Sequence, residues 1–529
     1  MAALLGGPLA AAAGTWQPLN HQPPLPQIVV DTTGYAGGAA FPILLTDGSV
    51  IVQNNGMAAD GSIWKLTPDL DGSYVNGTWS QLASMPYIPT AAAQAVLADG
   101  RVLIEGGEYT GPLFDFTLTN QGAIYDPVLN IWTPVLPPAF FVDLYPPRAA
   151  FAPHPIGDAA STVLADGTFM LQDKMSRQAA LLDLGTMTWT ETGTDSKADL
   201  NDEEGLTLLP DGRVLTVDAY TDYAFGLIAS YPTDPTNSEL YDPTTGAWSS
   251  AGSTVNTLTD PNLFEMGPAV LRPDGTVFAV GSQGYTAIYD TSSGQWAAGP
   301  RLPMSPQGNQ YVVQDGPGAL LPNGNVLIAA SGGAPNPGNG GYSDPPLAFF
   351  EFDGQHVTAQ PTIPNGPNDW SFSPTLLVLP TGQVLEADSS GDVEIYTPDD
   401  LGHDPAWEPV VSVAPTVVVP GGSYVLAGVR FNGMSQATMY GDEGQNATNY
   451  PIVRITNLAT SHVFYSRTHD HSSMAVASPL EVTTHFDVPP AQELGPSQLE
   501  VVANGIASSP VSIIVATDAI FANDFDPPP

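Results

Sequence analysis

Three acidic residues occupy the same place in three copies of a recurring phrase. Asp158, Glu203 and Asp315 each stand nine residues before a glycine that follows an apolar segment. Carboxylate oxygens bind hard cations such as Ca²⁺, and carboxyl groups with shifted pKa values act as general acids or bases. Further acidic residues stand beside this position in their own repeats: Asp202, Glu204 and Glu265. A fold that brings these side chains together would create a cation site or a proton-transfer site.

The recurring phrase has the form apolar-apolar-x-Asp-Gly-x-Val and is found seven times, with Asn or Thr replacing Asp in two copies. The first copy reads LLTDGSVIV from Leu44, and the last reads VLPTGQVLE from Val378. An Asp-Gly or Asn-Gly pair between two apolar runs is typical of a tight β-hairpin. The seven turn glycines are Gly48, Gly100, Gly167, Gly212, Gly275, Gly324 and Gly382.

A second phrase, apolar-Tyr-Asp-Pro followed by a short turn and a tryptophan, comes after most of the hairpins. Clear copies end at Trp132, Trp248 and Trp296. Each unit then contains four strands, and its aromatic residue packs against the neighbouring unit. Seven such units predict an all-β fold with a seven-bladed β-propeller over residues 15–408. Trp16 repeats the tryptophan phrase before the first hairpin, so the N-terminal strand is expected to join the last blade and close the ring.

The pattern changes after the propeller. Residues 409–517 contain alternating apolar strands without either phrase, which predicts a separate β-sandwich. Residues 518–529 end in three prolines and are expected to form a flexible tail. Residues 1–14 are small and apolar, and we interpret them as a signal-peptide remnant or leader. This interpretation favours secretion or a cell-surface location.

The charge of the chain excludes several classes of partner. Twelve basic residues face 54 acidic ones, which gives a formal net charge of −42. Such a surface repels nucleic-acid phosphates and favours cation binding. No apolar run of about 20 residues is present, so no membrane span is expected. The absence of cysteine excludes disulfides, thiolate metal sites and cysteine nucleophiles.

The seven hairpin phrases resemble the kelch motif. A kelch-type propeller followed by an immunoglobulin-like (E-set) β-sandwich resembles the galactose oxidase and glyoxal oxidase superfamily, and the resemblance implies that 409–517 is this immunoglobulin-like domain. In the copper radical oxidases of the superfamily, a loop of the C-terminal module plugs the propeller channel and supplies a histidine to the metal. The segment RTHDHSSM, 467–474, looks like that loop and puts His469 at the copper-binding position.

Other residues of the oxidase motif are replaced in this chain. Phe372 and Ser373 stand where the resemblance places a Tyr-His pair of copper ligands. The radical cofactor of the family also needs a cysteine, and this chain has none. We therefore expect neither the copper-radical cofactor nor copper radical oxidation.

The repeat positions and the resemblance together predict a metal centre on the propeller axis. Its ligands would be Asp158, Glu203, Asp315 and His469, and oxygen ligands with an imidazole suit Ca²⁺, Mn²⁺ or Zn²⁺. The candidate catalytic residues are His469, His471 and Glu203, with His471 as acid or base. Two alternatives stay open. The carboxylates could cap backbone amides as a structural plug, or the nearby Arg467 could supply the neutralising charge.

Two weaker features complete the set of candidates. Lys174 and Arg177 form an isolated basic pair that could contact an acidic ligand, although we favour a surface salt bridge. Four tyrosines follow or lie near inner strands and could either stack on a saccharide or pack between blades: Tyr109, Tyr220, Tyr223 and Tyr285.

Three functions are compatible with these observations. The first is a secreted or cell-surface binding protein whose propeller face holds a carbohydrate, another extracellular ligand or a partner protein. The second is a metal-dependent hydrolase or lyase that acts on a polysaccharide through the axial carboxylates and histidine. The third is a structural or assembly protein of the cell surface. The sequence favours binding over catalysis narrowly.

Overall fold

The computed structural model describes residues 13–25, 37–56, 59–110, 117–141, 153–174, 176–193, 196–197, 200–217, 236–260, 265–339 and 341–518. Most of the predicted leader, 1–12, and most of the predicted tail, 519–529, lie outside the described residues. Tyr220 and Tyr223 also lie outside them.

The strands of the described propeller residues form seven sheets, which are the seven predicted blades. Blades one to six contain β2–β5, β6–β9, β10–β13, β14–β17, β18–β21 and β22–β25, and blade seven contains β26–β28 with β1. The strands in chain order are β1 (Thr15–Pro18), β2 (Gly37–Leu44), β3 (Val50–Gly56), β4 (Ile63–Thr67), β5 (Thr78–Gln81), β6 (Ala93–Val96), β7 (Val102–Glu105), β8 (Gly122–Asp126), β9 (Ile131–Val135), β10 (Ser161–Val163), β11 (Phe169–Gln172), β12 (Ala179–Asp183), β13 (Thr188–Thr192), β14 (Thr207–Leu208), β15 (Val214–Val217), β16 (Ser238–Asp242), β17 (Ala247–Ser250), β18 (Met266–Leu271), β19 (Thr276–Gly281), β20 (Thr286–Asp290), β21 (Gln295–Ala298), β22 (Gly318–Leu320), β23 (Val326–Ser331), β24 (Leu347–Phe352), β25 (Val357–Gln360), β26 (Thr375–Val378), β27 (Val384–Ala387) and β28 (Val393–Thr397).

The first two strands of each blade are the predicted hairpins. In blade one, Leu44 pairs with Val50 across the turn, and Gly48 adopts a φ of 75°. A positive φ is easy for glycine and strained for other residues, which explains the Gly in every copy. The first strands are almost wholly buried and contact the first strands of neighbouring blades, so they surround the channel.

The N-terminal strand closes the ring as predicted. β1 pairs antiparallel with β28, and Trp16 lies opposite Tyr396. The Trp16 ring packs between Phe349 and Tyr396, with ring centroids 4.8 and 4.9 Å away, and its Nε1 donates to the Pro361 carbonyl at 2.8 Å. Because these contacts reach two blades, Trp16 joins the first strand of the chain to the last two blades.

The residues after the propeller form a separate curled sheet. Its nine strands run in the spatial order β29-β31-β35-β34-β33-β36-β38-β30, with β37 paired to β36. Their bounds are β29 (Val410–Val413), β30 (Val417–Val418), β31 (Ser423–Val429), β33 (Ile452–Asn457), β34 (Val463–His469), β35 (Glu481–Asp487), β36 (Gly495–Ala503), β37 (Ile506–Ala507) and β38 (Val511–Val515). The sheet encloses its own apolar core, which includes Phe431, Val453 and Phe486. The immunoglobulin-like and kelch-type assignments stay predictions.

Helices are almost absent from the described residues. Two short 3₁₀ turns, Pro337–Asn339 and Pro405–Trp407, are present. None of the helices that the structure describes is long and apolar enough to cross a membrane.

Candidate functional site

The segment 431–450 of the terminal unit, which we call the threading loop, enters the propeller channel. Its short strand β32 (Thr438–Met439) pairs with β22 and adds a fifth strand to the inner edge of blade six. The side chain of Gln436 accepts a hydrogen bond from the Leu208 amide at 2.8 Å and donates to Thr162 Oγ1 at 3.0 Å. The loop is thus held by blades three, four and six.

A buried lysine lies between blades three and four and the threading loop. Lys174 Nζ is 2.8 Å from Asp158 Oδ2, 2.8 Å from Asp202 Oδ1 and 2.8 Å from Glu203 Oε1. Asp442 of the threading loop approaches the same ammonium at 3.8 Å. The Lys174 side chain is 1% exposed. We call these five residues the hub cluster, and it joins blades three and four to the terminal unit.

The ammonium and the carboxylates of the hub cluster stabilise each other's charge. Burial opposes the charged form of Lys174, but the surrounding carboxylates outweigh burial and raise its pKa well above the usual range. Burial raises the pKa of Asp158, although Lys174 counteracts the shift. Burial and the charge of Glu203 raise the pKa of Asp442 well above its usual range. One ammonium therefore does not neutralise all four carboxyl groups.

The backbone at the repeat position aims the acidic side chains. Glu203 and Asp315 adopt φ values of 61° and 46°, and Ala91 at the equivalent position of blade two has a φ of 47°. Left-handed backbone is uncommon for residues other than glycine, and such strain is concentrated at functional sites. The position adopts this left-handed backbone in blades two, four and six, and acidic residues occupy it in two of these blades.

A second group of carboxyls lies beside the hub cluster. The Tyr342 hydroxyl donates a hydrogen bond to Glu265 Oε1. The other oxygen, Oε2, is buried and receives no hydrogen bond from the described residues. Burial, with the charge of Asp315, raises the pKa of Glu265 well above its usual range, and burial raises that of Glu443 to about 8. These shifts favour the protonated forms of Glu265 and Glu443, which can donate as well as accept hydrogen bonds.

A cavity of about 240 Å³ opens onto both groups of carboxyls. The rings of Trp370 and Phe372 lie parallel on its wall, with centroids 5.7 Å apart and planes 8° apart. Trp370 Nε1 is shielded from solvent and has no hydrogen-bond acceptor among the described residues. The other lining residues include Phe41, Tyr109, Asp158, Glu203, Glu265, Asp315, Tyr342, Tyr440 and Glu443. The cavity combines aromatic faces with convergent polar groups, as small-ligand sites do.

The structure brings together three of the four residues predicted as metal ligands. Asp158, Glu203 and Asp315 line one cavity, as the repeat position predicts. The prediction that His469 lies with them is wrong. Its ring nitrogens contact Asp470 and Asp487 of the terminal unit, at 2.8 and 3.2 Å.

The segment 467–474 lies at the other end of the blades. The Met474 amide donates to the Ala165 carbonyl at 2.9 Å, beside the hairpin turn of blade three. Ala165 follows Asp158 by seven residues, which is up to about 23 Å of extended chain. The threading loop enters the channel in its place, so the loop chosen from the resemblance is the wrong one.

His471 and Arg467 also lie away from the hub cluster. His471 is buried against Thr484, whose hydroxyl is 2.9 Å from Nδ1. Burial, helped by His469, lowers the pKa of His471 to about 3, so this ring is neutral and packs as a structural side chain. Arg467 pairs with Asp487 at 3.0 Å and does not supply the neutralising charge that was considered for it.

The metal set predicted from the sequence does not fit this arrangement, because the Lys174 ammonium already contacts Asp158 and Glu203. A different set of oxygens could hold a cation. Asp315, Asp442 and Glu443 each offer one oxygen within 4.8 Å of the others. An all-oxygen set suits Ca²⁺ or Mn²⁺ better than Zn²⁺.

Sequence reasoning missed Lys174, Asp442 and Glu443. Lys174 was assigned to a surface salt bridge, which is wrong because the side chain is buried. In a chain with 12 basic residues, a lysine two residues after the buried strand β11 is a usable signal. The acidic pair in Gly-Asp-Glu-Gly, 441–444, was a second signal, because glycines on both sides allow close approach of other backbone.

No protein-family model and no curated protein matches this sequence. Several solved structures are similar in fold. A fungal alcohol oxidase of the AA5 family in complex with copper is 13% identical, with a TM-score of 0.46 over 96% of this chain and 100% of that chain. A catalytically inactive virginiamycin B lyase from Staphylococcus aureus is 9% identical, with a TM-score of 0.43 over 73% and 99%. YCF48 bound to D1 peptide is 15% identical, with a TM-score of 0.41 over 75% and 99%. Likeness at this level assigns no activity.

Proposed function

We propose that the protein binds a small hydroxyl-rich ligand, such as one sugar ring of an extracellular carbohydrate, in the cavity at the channel mouth. The observation that carries the proposal is the pair of parallel rings, Trp370 and Phe372, on a wall of a cavity that carboxyl groups also line. Aromatic faces pack against the apolar faces of a ring, and carboxyl oxygens accept hydrogen bonds from its hydroxyls. Pockets for drug-sized ligands are larger, roughly 300–1,000 Å³.

The protonation of the carboxyls favours a neutral ligand over a charged one. Burial raises the pKa of Glu265 and Asp315 well above the usual range and that of Glu443 to about 8. These groups present O–H donors next to acceptors, which matches the alternating donors and acceptors of a polyol. An anionic ligand is disfavoured by the net charge of −42. The proposal includes a secreted or cell-surface location, a kelch-type propeller and an immunoglobulin-like terminal module.

The proposal is tested by calorimetric titration of the full chain with a panel of neutral monosaccharides and short oligosaccharides. We expect saturable binding of at least one sugar and a loss of at least about tenfold in affinity for Trp370→Ala, because the stacking face is removed. Trp370→Phe should retain most of the affinity. Exposed Glu191→Gln is the matched control, since it lies outside the cavity. Absence of binding across the panel, or equal affinity for Trp370→Ala, would contradict the proposal.

A second candidate is a metal-dependent enzyme acting on a polysaccharide. The specific observation in its favour is the oxygen set of Asp315, Asp442 and Glu443, of which Asp315 and Glu443 line the cavity. A cation held there would polarise a ligand oxygen as a Lewis acid. Elemental analysis of the purified protein and titration with Ca²⁺ and Mn²⁺ test the idea. Glu443→Gln should weaken cation binding, and unchanged binding by this variant would remove the candidate.

A further inference from the structure

Two histidines of the terminal unit lie directly opposite each other on neighbouring strands. His469 ends β34, and it is the register partner of His485 on β35. Opposed residues of an antiparallel pair share a face, with Cβ atoms about 5 Å apart. The two imidazole rings accordingly stack, with centroids 5.4 Å apart and planes 20° apart. Two rigid nitrogen donors are thus held side by side.

A carboxylate completes a three-ligand set with these rings. Asp470 Oδ2 lies 2.8 Å from His469 Nδ1 and 4.0 Å from His485 Nδ1. One atom from each of the three residues lies within 4.8 Å of the other two. His485 Nδ1 is shielded from solvent and has no hydrogen-bond partner among the described residues. A buried ring nitrogen in this state is available as a ligand.

A further carboxylate orients the first ring. His469 Nε2 lies 3.2 Å from Asp487 Oδ1, and Arg467 Nη1 donates to the other oxygen of Asp487 at 3.0 Å. A carboxylate on the remote nitrogen fixes the ring and directs the lone pair of the other nitrogen toward a metal. The Arg467–Asp487 pair therefore holds His469 with Nδ1 facing Asp470 and His485.

We propose that His469, Asp470 and His485 form a binding site for a divalent transition metal of the Zn²⁺ type on the terminal unit, outside the propeller channel. Tetrahedral Zn²⁺ with ligands at about 2.0–2.1 Å places ligand atoms about 3.3 Å apart. The observed separations of 2.8 and 4.0 Å from Asp470 lie on either side of this value, and each of the three ligand atoms lies within 4.8 Å of the other two. Two imidazoles and one carboxylate select Zn²⁺, Ni²⁺ or Cu²⁺ over Ca²⁺ or Mg²⁺.

The surroundings of the three ligands allow a metal to enter. The side chains of Asp470 and His485 are 60% and 44% exposed, so the set lies near the surface, with His485 Nδ1 itself turned away from solvent. The net charge of −42 attracts cations to the surface. A metal ion bound to His469 Nδ1 would replace the proton that this nitrogen shares with Asp470. Metal binding should therefore release protons.

The test is a calorimetric titration of the EDTA-stripped full chain with ZnCl₂. We expect one equivalent of Zn²⁺ per chain at this site. His485→Asn should weaken the binding by more than about tenfold, and Asp487→Asn by about tenfold, as for other residues that orient a metal ligand. Cobalt(II) provides a second readout, because nitrogen ligands in a tetrahedral site give strong visible absorption that an all-oxygen site lacks.

His462→Asn is the matched control, because His462 also pairs with a carboxylate, Glu493 at 2.7 Å, but belongs to no group of three potential metal ligands among the residues that the structure describes. This variant should bind Zn²⁺ like the unmodified chain. Each variant is first compared by circular dichroism and melting in EDTA, so that misfolding is recognised. Zn²⁺ binding that His485→Asn leaves unchanged, or that the unmodified chain lacks, overturns the proposal.

Discussion

Two buried groups of carboxyls in this propeller are compensated in different ways. The hub cluster surrounds Lys174, and its members Asp158 and Asp202 are 6% and 1% exposed. The other group, which we call the blade-seven cluster, consists of Asp369, Glu386, Asp388, Asp392 and Glu394. Glu386 and Glu394 are 0% and 1% exposed and lie opposite each other on β27 and β28. Both groups remove acidic side chains from water, which is costly without compensation.

The blade-seven cluster has no counterpart of Lys174. None of the lysines or arginines that the structure describes forms an ion pair with its five carboxyls. The four oxygens of Glu386 and Glu394 receive no hydrogen bond from an N–H or alcohol group of the described residues, and the two carboxyls contact each other. Burial, with neighbouring carboxyls, raises the pKa of Asp369 and of Glu394 to about 8 and that of Glu386 well above its usual range. Protons replace the ammonium here.

The two clusters differ in how their carboxyls are compensated and in how this compensation depends on pH. A lysine counter-charge favours the ionised form of a carboxyl group that it contacts, as Lys174 does for Asp158. Protonation leaves the buried carboxyls neutral but makes the stability of the folded protein depend on pH. Of the blade-seven cluster, only Asp388 is among the described residues that line the cavity.

Removing the lysine should give the largest effect. Lys174→Met leaves Asp158, Asp202 and Glu203 buried without their partner, and breaking such a buried arrangement costs about 3–5 kcal/mol. We expect a loss of this size in the free energy of unfolding, measured by urea titration at neutral pH.

A matched control and a rescue sharpen this prediction. Lys65→Met, at a half-buried lysine of β4, should change the free energy of unfolding by less than about 0.5 kcal/mol. Adding Asp202→Asn and Glu203→Gln to Lys174→Met should recover much of the lost free energy of unfolding, because fewer uncompensated charges remain buried. If Lys174→Met alone leaves the free energy of unfolding unchanged, the carboxyls of the hub cluster are protonated like those of the blade-seven cluster.

The fold was predictable because each blade repeats the same local structure, a hairpin with a glycine in its turn. The turn glycine after an apolar run identifies every inner hairpin, preceded by Asp in five of the seven copies, and Trp16 outside its repeat identifies the closing strand. The position nine residues before the turn glycine located Asp158, Glu203 and Asp315 for the same reason, since equivalent positions in a ring face one axis.

The partners of these residues were not predictable from the repeat. Lys174 belongs to a single blade, and Asp442 belongs to a loop outside the repeats, so no periodicity marks either one. The choice of 467–474 as the channel loop rested on a short resemblance around His469. The path of a loop from a second unit depends on tertiary packing, and short motifs do not encode it.

The blade-seven cluster should make stability fall as pH rises. Asp369 and Glu394 keep their protons up to about pH 8 in the folded chain but lose them near the ordinary carboxyl range when unfolded. Their contribution is therefore fully present at acidic pH and is lost as pH rises toward about 8. The double variant Glu386→Gln with Glu394→Gln removes two of the titrating groups.

The measurement is the melting temperature across the range of about pH 5 to about pH 9. The melting temperature of the double variant should fall across this range by several degrees less than that of the unmodified chain. The melting temperature of exposed Glu191→Gln should fall as much as that of the unmodified chain. Parallel curves for all three proteins would mean that proton sharing between Glu386 and Glu394 does not contribute, and that a bound cation or another group compensates their charge.

The smallest effect is expected at Asn365, the one amide that bridges the edge of the blade-seven cluster in the described residues. Its Nδ2 lies 3.0 Å from Asp388 Oδ2 and 3.1 Å from Asp392 Oδ1. Asn365→Ala should cost about 1 kcal/mol and steepen the alkaline decline, because this donor stabilises the ionised form of Asp388. Exposed Asn20→Ala, which removes only a contact with Asn76, is the control for urea unfolding at two pH values. If Asn365→Ala lowers the free energy of unfolding equally at both pH values, Asn365 acts by packing alone. The difference between charge compensation by an ammonium group and by protons would then depend on the Lys174 variant and on the double variant of Glu386 and Glu394.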